Sequence, residues 1–218
     1  MAELDAKTIT RRSIRGIIAL SFVQIVNTFL VFLLTIFIDP RTFGVYVVVS
    51  AGLAFLTYFS DIGLAAALIQ KKEKITREDL VTTFTIQQLL VITGIILAFL
   101  FSAQISKFYA LNSPGTQLFQ ALLISFFLSS LKTIPSVNLE RNLEFQKLII
   151  PQIAEALAFN LVAVVLAIRG FGVTSFTLAV LARGFVGVVL IYLIAPWRIG
   201  FGISRESAKK LLSFGIPF

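Results

Sequence analysis

Six apolar runs, each close to the length of one membrane crossing, follow one another along the chain with short polar clusters between them. A helix needs about 20 mainly apolar residues to cross a hydrocarbon core of roughly 30 Å. The first run, Ile17 to Ile38, carries no charge, and neither does the third, Leu80 to Phe101. The second, about Val45 to Leu68, contains Asp61, and the fourth, about Thr116 to Ile134, ends near Lys132. The fifth, Leu148 to Ile168, contains Glu155, and the sixth, Val173 to Ile194, contains Arg183. The pattern predicts an all-α polytopic membrane protein. Residues 1–16 form an N-terminal segment, 17–194 a lobe of six transmembrane helices, and 195–218 a linker and the start of a seventh helix.

The residues between the runs agree. Asp39-Pro40 is expected to end the first helix, because proline disfavours helix in the residue before it. Thr76-Arg77-Glu78-Asp79 has the character of a capping box ahead of the third. Asn112-Ser113-Pro114-Gly115 is a turn cluster before the fourth, and Pro135 is expected to stop or kink that helix. Gly170-Phe171-Gly172 makes a tight reversal between the fifth and sixth. Pro196-Trp197-Arg198 closes the sixth, with tryptophan at an interface that suits its amphipathic ring. The N-terminal run is longer than the apolar core of a signal peptide, roughly 7–15 residues, so it reads as an uncleaved first helix.

Composition narrows the class. Hydrophobic types are 57% and charged types 14% of 218 residues, against roughly 45–50% and about 25% in a soluble domain. Mean hydropathy is +0.94, which also excludes a disordered chain. There is no cysteine and no histidine, which removes disulfides, thiol nucleophiles, Cys/His metal sites and imidazole catalysis. No metal and no cofactor is expected.

The net charge of +8 is a question of sidedness. With six spans, one side holds the N-terminus, the 69–79 loop, the 135–147 loop and the tail. That side carries 14 of the 19 cations, whereas the other has only Arg41, Lys107 and Arg169. Such an imbalance places the N-terminus in the cytoplasm and explains the charge without nucleic acid.

Polar residues within spans are expected to face other helices or a water-filled cavity. Ser21, Gln24, Asn27, Thr28 and Thr35 share one third of the first helix, and Thr83, Gln87 and Gly94 share a face of the third. Gln152, Glu155 and Asn160 lie on a broad face of the fifth. Intramembrane charge is costly, at least ~2.5–3.5 kcal/mol on insertion scales, so Asp61, Glu155 and Arg183 stand out. Glu155 and Arg183 sit on neighbouring helices of a tight hairpin. One reading is an ion pair that merely neutralises both. The other is a cavity in which Arg183, with Gln24 and Asn27, binds an anionic substrate while Asp61 or Glu155 takes a coupling cation or proton.

Three stretches carry a family resemblance. Phe59 to Gln70, with Asp61-Ile62-Gly63-Leu64 at its centre, leads into Lys71-Lys72 and Ile75-Thr76-Arg77-Glu78-Asp79-Leu80. Pro135-Ser136-Val137-Asn138-Leu139-Glu140-Arg141-Asn142-Leu143-Glu144-Phe145 connects the fourth and fifth helices. Gly170-Phe171-Gly172-Val173, Ala195-Pro196-Trp197-Arg198 and Leu211-Leu212-Ser213-Phe214-Gly215-Ile216-Pro217 flank the sixth and open a seventh. Together these resemble the polysaccharide and O-antigen flippases of the multidrug/oligosaccharidyl-lipid/polysaccharide (MOP) exporter superfamily.

The resemblance implies 12 to 14 helices in two six-helix lobes around a central cavity. It also implies transport of a lipid-linked oligosaccharide from the cytoplasmic to the outer leaflet of the inner membrane by alternating access, and no enzymatic activity. The expected partners are membrane lipid, a polyprenyl-pyrophosphate-linked oligosaccharide and a second six-helix lobe. The chain is then the N-terminal lobe of a longer protein or a half-size unit that works as a dimer. The alternatives are a multidrug or organic-cation exporter of the same superfamily, and an integral-membrane glycan-processing enzyme. An enzyme would need a sizeable loop bearing catalytic residues, and the longest outer loop, Gln104 to Gly115, has Lys107 as its only charge.

Overall fold

The computed structural model describes residues 21, 24–60, 63–71 and 73–209. Asp61 and the expected start of a seventh helix at 211–217 lie outside the described residues. In chain order the helices are α1 (Gln24–Phe37), α2 (Pro40–Ser60), α3 (Leu64–Gln70), α4 (Arg77–Leu100), α5 (Ser102–Phe108), α6 (Ser113–Leu131), α7 (Thr133–Arg141), α8 (Phe145–Ile168) and α9 (Val173–Ile194). The protein is all-α, with no strand among the described residues. Among the described residues, four segments are long and apolar enough to cross a membrane: Arg77–Leu100, Ser113–Arg141, Phe145–Ile168 and Val173–Ile194. They coincide with the third to sixth expected spans.

The boundaries follow local chemistry. Asp39 is the N-cap of α2, accepting a hydrogen bond from the Thr42 backbone at 3.0 Å, and Pro40 takes the first helical position, where its missing N–H costs nothing. Hydrogen bonds from the Thr42 side chain and backbone hold the Asp39 carboxyl below its ordinary range. The dipeptide therefore starts the second helix as well as ending the first, five residues before the expected Val45. The expected continuous span to Leu68 is also broken. Gly63 adopts a left-handed conformation (φ 65°) ahead of α3, which a residue with a Cβ resists.

Thr76 and Asp79 form the expected capping box: the Thr76 hydroxyl accepts from the Asp79 N–H at 3.2 Å and the Asp79 carboxylate from the Thr76 N–H at 2.9 Å. Asn112 caps α6 by accepting from Gly115 N–H at 3.0 Å. The reversal between α8 and α9 places Gly170 at φ 79° and Gly172 at φ 53°.

In the fourth span, Pro135 gives the second of its two expected outcomes, a kink. The helix breaks at Lys132 and resumes as α7 through Pro135 to Arg141. Proline cannot donate to the carbonyl four residues back, which here belongs to Leu131. That carbonyl accepts instead from the Tyr192 hydroxyl of α9 at 3.1 Å, and the same hydroxyl accepts from Trp197 Nε1 at 3.0 Å. The proline thus kinks the segment without stopping it, and a side chain from another helix supplies the lost bond.

Packing uses small residues and polar contacts, since lipid tails are as apolar as the side chains and leave little hydrophobic drive between helices. α9 lies against both α8 and α6. Ala163, Ala167 and Ala179 are buried there. A Cβ at Gly184 would come within 3.0 Å of Leu128 on α6, and Ser125 donates to the Val180 carbonyl at 3.1 Å. Gln88 donates to Ser130 at 3.0 Å and Gln87 to Thr133 at 2.8 Å, joining α4 to α6 and α7. Tyr46 of α2 stacks on Phe176 of α9 with ring centroids 4.4 Å apart.

On the outside, Leu89, Ile92 and Ile96 of α4, Leu161, Val165 and Ile168 of α8, and Phe185, Val189 and Leu193 of α9 are exposed. These stripes recur at helical spacing and form large apolar surfaces that a water-soluble monomer rarely shows.

The chain after α9 folds back over the start of α4. Ser204 N–H donates to Thr82 and Gly202 N–H to Thr85, both at 3.0 Å. Trp197 meets Phe84 edge-on at 5.1 Å. Ile199, Phe201 and Ile203 alternate with these contacts and are exposed, although the Phe201 ring also meets Phe84, with centroids 5.7 Å apart.

Candidate functional site

Three charged side chains from three elements meet inside the helical core. Lys132, at the break between α6 and α7, donates from Nζ to Glu155 Oε1 of α8 at 2.6 Å. Arg183 of α9 brings its Nε to 3.6 Å from Glu155 Oε2, an ion-pair distance too long for a direct hydrogen bond. The Glu155 and Lys132 side chains are 10% and 17% exposed, whereas Arg183 is 54% exposed. The acid and the lysine are therefore an interior pair, and the arginine is presented to open space.

That space is a cavity of about 310 Å³ between α2, α4, α6, α8 and α9. Lys132, Glu155 and Arg183 line it together with Tyr46, Phe126, Gln87 and the hydroxyl-bearing Ser125, Ser129 and Ser130. Its volume is at the small end of ligand sites, roughly 300–1,000 Å³. Among the described residues, two cations against one carboxylate leave it a formal charge of +1. Arg183 lies 11 residues before the end of α9, about 16 Å along the helix axis at 1.5 Å per residue.

Gly187 gives Glu155 its place. A Cβ there would lie 2.1 Å from Glu155 Oε1 and 2.5 Å from its Cδ, so the carboxylate rests directly on the α9 backbone. Any larger residue at 187 would push it away.

The expected Glu155–Arg183 pairing is present, but Lys132 is the closer partner of the acid. Sequence reasoning noted Lys132 only as a charge near a span end. The missed signal was its position three residues before Pro135, where a helix break can turn a side chain inward. Asn27 and Gln24 do not line this cavity. Asn160 of α8 donates to Asn27 Oδ1 and to the Ala156 carbonyl at 2.9 Å, so Asn27 joins α1 to α8. Gln24 is exposed and lines an outer groove with Ser21, Thr28, Phe29 and Phe32.

Arg141 also has a defined task. Its guanidinium donates to the carbonyls of Leu68 (2.8 Å), Ile69 (3.2 Å) and Glu73 (2.5 Å). The first two are among the last carbonyls of α3, which have no partner within the helix. Lys71 and Asp79 close the same loop with a 2.6 Å ion pair.

Lipid-facing stripes around a polar, charged interior define a helical integral membrane protein. A sequence model described as polysaccharide biosynthesis protein matches residues 33–218, and the chain belongs to that family. Its role lies in the synthesis or export of polysaccharide. No curated protein and no solved structure shows significant similarity to it.

Proposed function

We propose that the protein is a flippase, not an enzyme, and moves a lipid-linked oligosaccharide from the cytoplasmic to the outer leaflet of the inner membrane. The observation that carries this reading is the net-positive cavity at mid-helix, with half-exposed Arg183 as its open cation. A polyprenyl-pyrophosphate headgroup is anionic and strongly hydrated, and its passage through hydrocarbon is opposed by a large desolvation cost. Arg183 suits phosphate, because guanidinium nitrogens can engage two phosphate oxygens at once. The serine hydroxyls and Gln87 suit sugar hydroxyls. The small volume fits the pyrophosphate end and adjoining groups; the rest of an oligosaccharide needs the space enclosed by a second six-helix lobe. The lipid tail stays in the bilayer, and the N-terminus is cytoplasmic. A coupling ion or proton acts at Glu155 or Asp61. An organic-cation exporter is less well supported, since Glu155, the one acid lining the cavity among the described residues, is already held between two cations.

Reconstitution in vesicles with fluorescent lipid-linked oligosaccharide tests the proposal. Arg183→Ala is expected to reduce transfer at least tenfold. Its fold should survive, because a half-exposed ion pair contributes only about 0–1 kcal/mol. Transfer at the wild-type rate would remove Arg183 from the mechanism.

A further inference from the structure

Glu155 occupies the place that an incoming phosphate would need. Lys132 Nζ is committed to its Oε1 at 2.6 Å, and Arg183 Nε stands beside its Oε2. Arg183 makes no hydrogen bond among the described residues apart from this charge contact, so its terminal nitrogens are open to the cavity. A phosphate paired with Arg183 could reach Lys132 only by lying where the carboxylate now lies. Two anions side by side in so enclosed a space repel strongly, so both cannot hold the lysine at once.

The seat is also specific. The carboxylate fits over α9 only because residue 187 lacks a Cβ, and a change of side-chain rotamer would take it off that seat without moving the helix.

We infer that Glu155 is a resident counter-anion, exchanged for the phosphate of the substrate each time the cavity loads. This rests on the flippase reading and adds a means of selection to it. While the cavity is empty, the tethered carboxylate neutralises Lys132. A weakly charged competitor such as a single lipid phosphate does not displace it, and a pyrophosphate does. After transfer the carboxylate returns and helps expel the anion. Glu155 therefore opposes substrate binding, although it lies within the binding cavity.

The sign of one substitution decides the matter. Apparent affinity falls in proportion to the fraction of protein competent to bind, so a counter-anion seated about nine-tenths of the time weakens binding about tenfold. Binding of geranylgeranyl pyrophosphate and of inorganic pyrophosphate is measured on the purified full chain in nanodiscs. Glu155→Gln, and separately Glu155→Ala in case one variant folds poorly, are expected to lower the Kd about tenfold and to slow dissociation. Tightening with the lipid probe alone supports a lipid-linked occupant; tightening with both supports recognition of the phosphate whatever its source. A Kd that is unchanged or raised in the folded variants, with the wild type binding normally, overturns the exchange and leaves the flippase reading intact. Failure of wild type and variants alike to bind either probe overturns both.

Discussion

Lys132→Ala is expected to destabilise the protein by about 3 kcal/mol, because removing one partner of an interior ion pair strands the other's charge. Glu155 would keep only Arg183, at 3.6 Å and half open to solvent. The measurement is thermal unfolding in detergent micelles or nanodiscs, alongside Arg183→Ala and the double variant Lys132→Ala/Glu155→Gln. The double variant should recover much of the loss, since no unpaired carboxylate remains. If Lys132→Ala and Arg183→Ala melt alike, the lysine is not the acid's main partner. Transport should fall in both single variants, so stability separates two cations that activity alone does not.

Arg141→Ala should have a comparable effect at a distant place. Its guanidinium serves three carbonyls, and hydrogen bonds from charged donors are worth about 1.5–3 kcal/mol each. The Glu73 contact is exposed and adds little, so the expected loss is about 3 kcal/mol. It should appear as a lower unfolding midpoint and as faster proteolytic nicking between residues 71 and 76. Arg141→Lys should recover less than half, because an ammonium group cannot span three acceptors as the planar fork does. Nicking at the wild-type rate in Arg141→Ala would contradict this role.

The third to sixth spans were legible because length and lack of charge speak directly to a bilayer. The capping box at Thr76 and the glycine reversal at 170–172 were legible because a few adjacent residues determine them. The second span was not, because its break depends on the backbone conformation of Gly63, and nothing in the apolar run around it marks that change. The Glu155–Arg183 contact could be foreseen since a tight hairpin makes α8 and α9 neighbours. Lys132 was marked only by its closeness to Pro135, because its approach to Glu155 depends on how the break between α6 and α7 sits against α8, a relation between residues 23 positions apart. Arg141 was counted among the orienting charges and resembled a family motif, yet its acceptors are main-chain atoms, which sequence does not mark. Gln24 and Asn27 show the limit of helical-face reasoning. They share an arc of α1 with other polar groups, but one opens on an outer groove and the other is held by Asn160.

The kink at Lys132 leaves a trace that evolution can be asked about. Pro135 removes one main-chain bond and Tyr192 replaces it from another helix, so the two residues form one unit split across 57 positions of the chain. In a relative with any other residue at 135 and no tryptophan at 197, the Leu131 carbonyl regains its own donor, and the tyrosine hydroxyl loses both of its partners. Proline with tyrosine, or neither of them and no tryptophan, is the pattern expected across the family, and phenylalanine at 192 should accumulate where the proline and the tryptophan are both gone.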